Sequence, residues 1–247
     1  MNKIFYLPTY YWFNYNLKWF NNLIWYFLTL HLPIILLYSI FLQIEQYIIF
    51  SIIYIMSFII FITFYEIFYI QNDYLSEKEK NSTKRFNFKN IKLPWLNIIL
   101  IRFFYISIIY IILYFMKINI ISHILILFTI GIVFFIHNII NTKFRFITFY
   151  LLFLFKLIIF FQLFKIVDKD IYIYYSMILS FFWTIPYFYK KNLNKNIPFD
   201  GILLYLIAFL LLGVYIFYKT DNINLIIISI FLIFVKYIKK YIFLFTK

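Results

Sequence analysis

Apolar runs about the length of a bilayer crossing follow one another along most of the chain, and polar positions fall between the runs instead of alternating within them. Eight can be laid out, at 20–42, 47–72, 95–116, 119–140, 146–166, 171–189, 201–218 and 223–245, the last carrying Lys236, Lys239 and Lys240 and so spanning only in part. A helix rising about 1.5 Å per residue crosses a hydrocarbon core about 30 Å thick in about 20 residues. The continuity of the runs argues against strands, and backbone satisfaction in lipid leaves helices as the spanning element. The pattern therefore predicts an all-α, polytopic transmembrane helical bundle of about 8–9 spans. No connection exceeds about 20 residues, too short for a βαβ unit of about 30, so residues 1–247 read as a single integral membrane domain. No internal repeat stands out.

Composition supports this pattern, with 66% hydrophobic and 27% aromatic residues. The charge of +14 follows the connections. Lys3 and Lys18 precede the first run; Lys78, Lys80, Lys84, Arg85, Lys89 and Lys92 follow the second; Lys143 and Arg145 follow the fourth; Lys190, Lys191 and Lys195 follow the sixth. The opposite connections carry Glu45, Lys117, Lys165, Asp168, Lys169, Asp170, Lys219 and Asp221. The positive-inside rule then places both termini in the cytoplasm, with a bacterial inner membrane as the expected location. Topology and attraction to anionic lipid account for the excess base, so no nucleic-acid partner is called for. Cysteine is absent, which excludes disulfides and thiolate metal sites. The opening MNKIFYLPTYYWFNYNLKWF lacks the pattern of a cleaved signal peptide, and its Trp12, Tyr15, Lys18 and Trp19 suit an interfacial segment.

Four of only nine acidic residues, Glu66, Asp73, Glu77 and Glu79, gather at the end of the second run and are followed by Lys84 and Arg85. Continued as a helix, positions 66, 73 and 77 share one face. Glu66 would lie about 10 Å below Asp73, at a depth where a carboxylate must be paired or face a wet cavity. Arg102, about two turns into the third run, is its natural partner, as helix glue, as site residues, or both. Asn72 and Asp73 would stand at the mouth of the bundle as oxygen donors suited to Mg²⁺, with Lys84 and Arg85 beyond them suited to phosphate. The bland alternative is a solvated charged loop.

Three histidines complete the inventory. His31 and His123 sit singly in apolar runs and read as packing residues with one hydrogen bond each. His137 differs, since positions 137, 141 and 145 bring His137, Asn141 and Arg145 to one helical face at the end of the fourth run. Asn141 and Arg145 suit phosphate, and His137 suits an acid or base. Lys156 lies mid-run and should face the interior. Neither a P-loop nor a metal-ligand or nucleophile motif occurs.

Tyr69, Asn72 and Asp73, followed by a charged run and Lys84-Arg85, resemble the first signature of the UbiA family of membrane prenyltransferases, in particular the branch acting on polyprenyl phosphate. That signature is close to Y-x-x-N-D-x-x-D-x-x-x-D-x-x-H-P-x-K-R. Trp19-Phe20-Asn21-Asn22 is similar to the W-x-K-N that opens the first span in that branch. Ser76 and Lys80 stand where later aspartates would be, and the second aspartate cluster is reduced to KKNLNKNIPFD, with Asp200 its one acid. The resemblance implies a UbiA-like bundle with a cytoplasm-facing cavity for an isoprenoid or other membrane lipid. Taken with the depth of Glu66, it points to Asp73, Asn72 and Glu66 as catalytic residues and to Asp73 with Glu77 as Mg²⁺ ligands. Lys84, Arg85, Arg102, His137, Asn141 and Arg145 would be the substrate contacts. Two other classes fit the same composition: a non-enzymatic membrane subunit of a larger complex, and a secondary transporter using Glu66, Arg102 and Lys156.

Overall fold

A computed structural model describes residues 31–32, 34–35, 46–75, 94–164, 169–193, 201–221, 223, 226–227, 229–231 and 233–234. Among these no strand occurs, and six longer helices follow in order: α1 (Tyr47–Leu75), α2 (Trp95–Phe115), α3 (Ile121–Ile139), α4 (Arg145–Ile159), α5 (Lys169–Asn192) and α6 (Gly201–Thr220). Four contain stretches long and apolar enough to cross a membrane: Tyr47–Asn72, Trp95–Phe115, Ile121–Ile139 and Asp170–Tyr189. The chain is an integral membrane protein with an all-helical bundle. Most of the first expected run and the larger part of the eighth lie outside the described residues.

Chemistry at the helix ends explains the boundaries. Pro94 precedes α2, and its carbonyl accepts the first helical bond from Ile98 N at 3.1 Å. At the far end of α2, Ile118 N donates to Leu113 O at 3.1 Å and Lys117 N to Tyr114 O at 2.9 Å, a Schellman closure with Lys117 left-handed at φ 59°. Asn119 then accepts Ile121 N through its side chain at 3.1 Å and starts α3. Between α3 and α4, the Asn141 side chain accepts Lys143 N at 3.2 Å beside a short 3₁₀ turn, Thr142–Phe144.

The fifth run departs from its expected length. Its helix stops at Ile159, and bonds of the i→i+3 kind, from Phe161 to Ile158 O and Gln162 to Ile159 O, carry the chain through turns to residue 164. Ile159, Phe160 and Phe161 are consecutive and all buried, which one face of an α-helix cannot achieve. Leaving the helix lets Phe160 pack on Phe58 and Phe61 of α1 while Phe161 packs on Tyr172 and Tyr175 of α5. The wedge joins two helices at the cost of a full span.

α1 packs on α2, α3 on α4, α4 on α5 and α5 on α6, and α1 also touches α3 and α4, which ties the first pair of helices to the rest. Half of the membrane window of α1 is buried (50%), against 22% for α2. The outer face of α2 presents Leu96, Leu100, Phe103, Phe104, Ile111 and Phe115 among the described residues, an apolar surface suited to lipid.

Candidate functional site

The interior of the bundle holds polar side chains in layers. One is the pair foreseen between the second and third runs: Arg102 of α2 donates through Nη1 to Glu66 Oε2 of α1 and to Thr63 O at 3.2 Å. Both side chains are excluded from the surface, Arg102 at 0% and Glu66 at 1%. In this geometry each carries the other's charge, and the pair fastens α2 to α1.

Toward the end of the bundle where α3 begins lies a layer that sequence reading understated. His123 is bonded through both ring nitrogens, Nε2 with Ser57 Oγ at 2.9 Å and Nδ1 with Tyr110 Oη at 2.7 Å, tying three helices together. The expectation of one bond was too low because an imidazole has two polar atoms and burial requires a partner for each. His31 meets the Tyr54 hydroxyl through Nδ1 and stacks edge-on against Phe58 and Phe160. Lys156 does point inward, and its ammonium lies over the rings of Phe153 at 5.4 Å and Phe61 at 5.9 Å.

The opposite end gathers the remaining candidates. Its framework is a chain of rings: Tyr69 of α1 lies 6.0 Å from Phe134 of α3, Phe134 lies 6.3 Å from His137, and His137 lies 6.5 Å from Tyr187 of α5. The ends of the second, fourth and sixth runs thus adjoin. His137 Nδ1 is bonded to Thr148 Oγ1 at 2.7 Å, which locks α3 to α4. Arg145 is half-buried at the start of α4, and its Nε donates to Ile140 O at 3.4 Å, a contact that orients its terminal nitrogens. Asn141 is exposed, with its carbonyl oxygen turned to the backbone. Asn72 is half-buried in the final turns of α1.

Asp73 lies in α1 by its backbone alone, and Glu77, Lys84 and Arg85 fall outside the described residues. Asn72 and Asp73 offer hard oxygens of the kind Mg²⁺ takes, whereas Glu66, the other carboxylate of α1, is taken by Arg102. Among the described residues no three His, Asp or Glu side chains form a metal-holding group.

Sequence reading passed over Thr148, Tyr187 and Asn138. Thr148 and Tyr187 carried no signal beyond a polar atom near a run's end, since their partners are distant in sequence. Asn138 stands beside His137 in the sequence, where a lone amide near a run's end carries no signal of its own. Comparison with known protein families, with characterised proteins and with solved structures finds no match to the chain.

Proposed function

We propose that this protein is a membrane-embedded group transferase that takes a polyprenyl phosphate or related phosphorylated lipid at its cytoplasmic face, with an eight- to nine-span plan similar to that of the UbiA prenyltransferases. The observation that supports it is the convergence of α1, α3 and α5 at one end of the bundle, along the rings of Tyr69, Phe134, His137 and Tyr187. That end carries the Asn72-Asp73 step on which the resemblance rests. It is also the end toward which the basic connections lie, so the positive-inside rule turns it, and both termini, to the cytoplasm of a bacterial inner membrane.

On this reading each group has a task set by its place. Asp73, with Asn72 and Glu77, holds Mg²⁺, which when bound supplies neutralisation of charge on the departing phosphate. Arg145, Lys84 and Arg85 hold phosphate oxygens, the guanidinium groups through paired N–H donors. His137, fixed by Thr148, is placed to move a proton through Nε2. Glu66 and Arg102 act below the lip by holding α1 in register with α2. The rings of α1 and α3 supply an apolar wall suited to an isoprenoid tail.

The test is binding of a polyprenyl phosphate to the detergent-solubilised full chain with Mg²⁺ present. Wild type should bind, and Asp73→Asn should lose the Mg²⁺-dependent part while keeping its fold. No binding by wild type, or unchanged binding by the variant, refutes the reading. Lys156, inward-facing between two rings, favours a secondary transporter as the second reading, for which Lys156→Met would abolish uptake into vesicles.

A further inference from the structure

α1 and α3 run in the same direction, and their contacts keep one register. Ser57 meets His123 at a sequence separation of 66. Gly131 lies against the ring tips of Phe64 and Phe68, and Phe68 stacks on Phe134 at 5.1 Å and 11°, again 66 positions apart. Carried one turn further, the register sets Asn138 level with Asn72, next to Asp73. Asn138 is unusual. Both polar atoms of its amide, Oδ1 and Nδ2, are buried, and among the described residues neither has a hydrogen-bond partner. An amide buried in this way is disfavoured unless something outside the described protein groups completes it.

Two ligand chemistries compete for that place, an anion on Nδ2 and a cation on Oδ1. The helix end favours the cation at Asn138, and the Arg145 guanidinium, held on Ile140 O, is the group that takes an anion. α3 ends at Ile139, one residue beyond Asn138, and Ile140 is already extended. The carbonyl end of a helix carries a partial negative charge that favours cations and disfavours anions within its last turn. We propose that Asn138 contributes its amide oxygen to a divalent cation site shared with Asn72 and Asp73. The site deepens the reading given above and rests on it for the Mg²⁺ at Asp73. Its donors are hard oxygens, the remaining positions are left to water and a phosphate oxygen, and Arg145 stands at the start of α4 to hold that phosphate.

The test uses the full-length protein in detergent and the metal alone. Thermal unfolding is followed against MgCl₂, with NaCl at matched ionic strength as the control. Wild type should gain thermal stability from Mg²⁺ beyond the salt control. Asn138→Leu should need about tenfold more Mg²⁺ for half the gain, the loss of one ligand. Its metal-free melting temperature should equal or exceed that of wild type, because an apolar isostere replaces an amide without a partner. Asn138→Asp, which keeps the oxygen and adds charge, should reach half the gain at lower Mg²⁺. If Asn138→Leu does not fold, Asn138→Asp decides alone, and an unchanged midpoint overturns the proposal. An absent Mg²⁺ effect in wild type, or the same midpoint in Asn138→Leu, overturns it too. Wild type that binds phosphorylated lipid without any Mg²⁺ effect removes the cation site and leaves the lipid reading; a cation effect lost in Asn138→Leu without lipid binding does the reverse.

Discussion

Breaking the Glu66–Arg102 pair tests how the bundle is held together beneath its polar end. Arg102 is the largest fully buried side chain among the described residues, and its Nη1 serves both Glu66 and the Thr63 carbonyl. Glu66→Gln keeps the volume and removes the charge, so the buried guanidinium loses its carboxylate on α1. Arg102→Met does the converse to the carboxylate. In soluble proteins, stranding one member of a buried pair costs about 3–5 kcal/mol. Interhelical polar contacts in membranes are worth less, about 0.6–2 kcal/mol, because the unfolded chain finds other partners in the bilayer. Each single variant should therefore lose about 2–3 kcal/mol of unfolding free energy in mixed detergent. The double variant has no stranded charge, so it should lose at least about 1.5 kcal/mol less than the sum of the singles. Additivity of the three losses to within about 0.5 kcal/mol would show that the two side chains do not interact, and the account of how α2 is fastened to α1 would fail.

His123→Leu strands the Ser57 and Tyr110 hydroxyls and should cost about 2 kcal/mol or more in the same assay, whereas the triple replacement Ser57→Ala, Tyr110→Phe, His123→Leu should recover part of it; no recovery would deny the network. At Gly131 an added Cβ would lie 3.1 Å from Phe64 Cζ and 3.3 Å from Phe68 Cζ. Gly131→Ala should be near neutral, since ring tips can shift and alanine gains about 1 kcal/mol of helix propensity, while Gly131→Leu should cost about 1–3 kcal/mol; equal stability of the two would refute the close approach of α3 to α1. Lys117 closes α2 at φ 59°, so Lys117→Gly should stabilise the hairpin by about 1 kcal/mol and Lys117→Val should destabilise it, with the reverse order contradicting the left-handed conformation.

The sequence by itself determined the class and most of the helix boundaries. A run of about 20 apolar residues has few alternatives once the backbone must satisfy its own hydrogen bonds, and expected 95–116 and 119–140 became Trp95–Phe115 and Ile121–Ile139. It also paired Glu66 with Arg102, because two charges at matched depth on consecutive antiparallel helices can scarcely avoid each other. Tertiary structure alone decided the rest. The fifth run looked like an ordinary span, yet its helix ends at Ile159 because Phe160 and Phe161 are drawn to different neighbours, and hydropathy assigns both the same value. The second bond of His123, the lock between His137 and Thr148, and the burial of the Asn138 amide are likewise set by how helices meet. Depth along a helix can be read from residue number at a fixed rise, whereas which neighbour a side chain meets depends on rotation about the helix axis and on register between helices. Packing sets both.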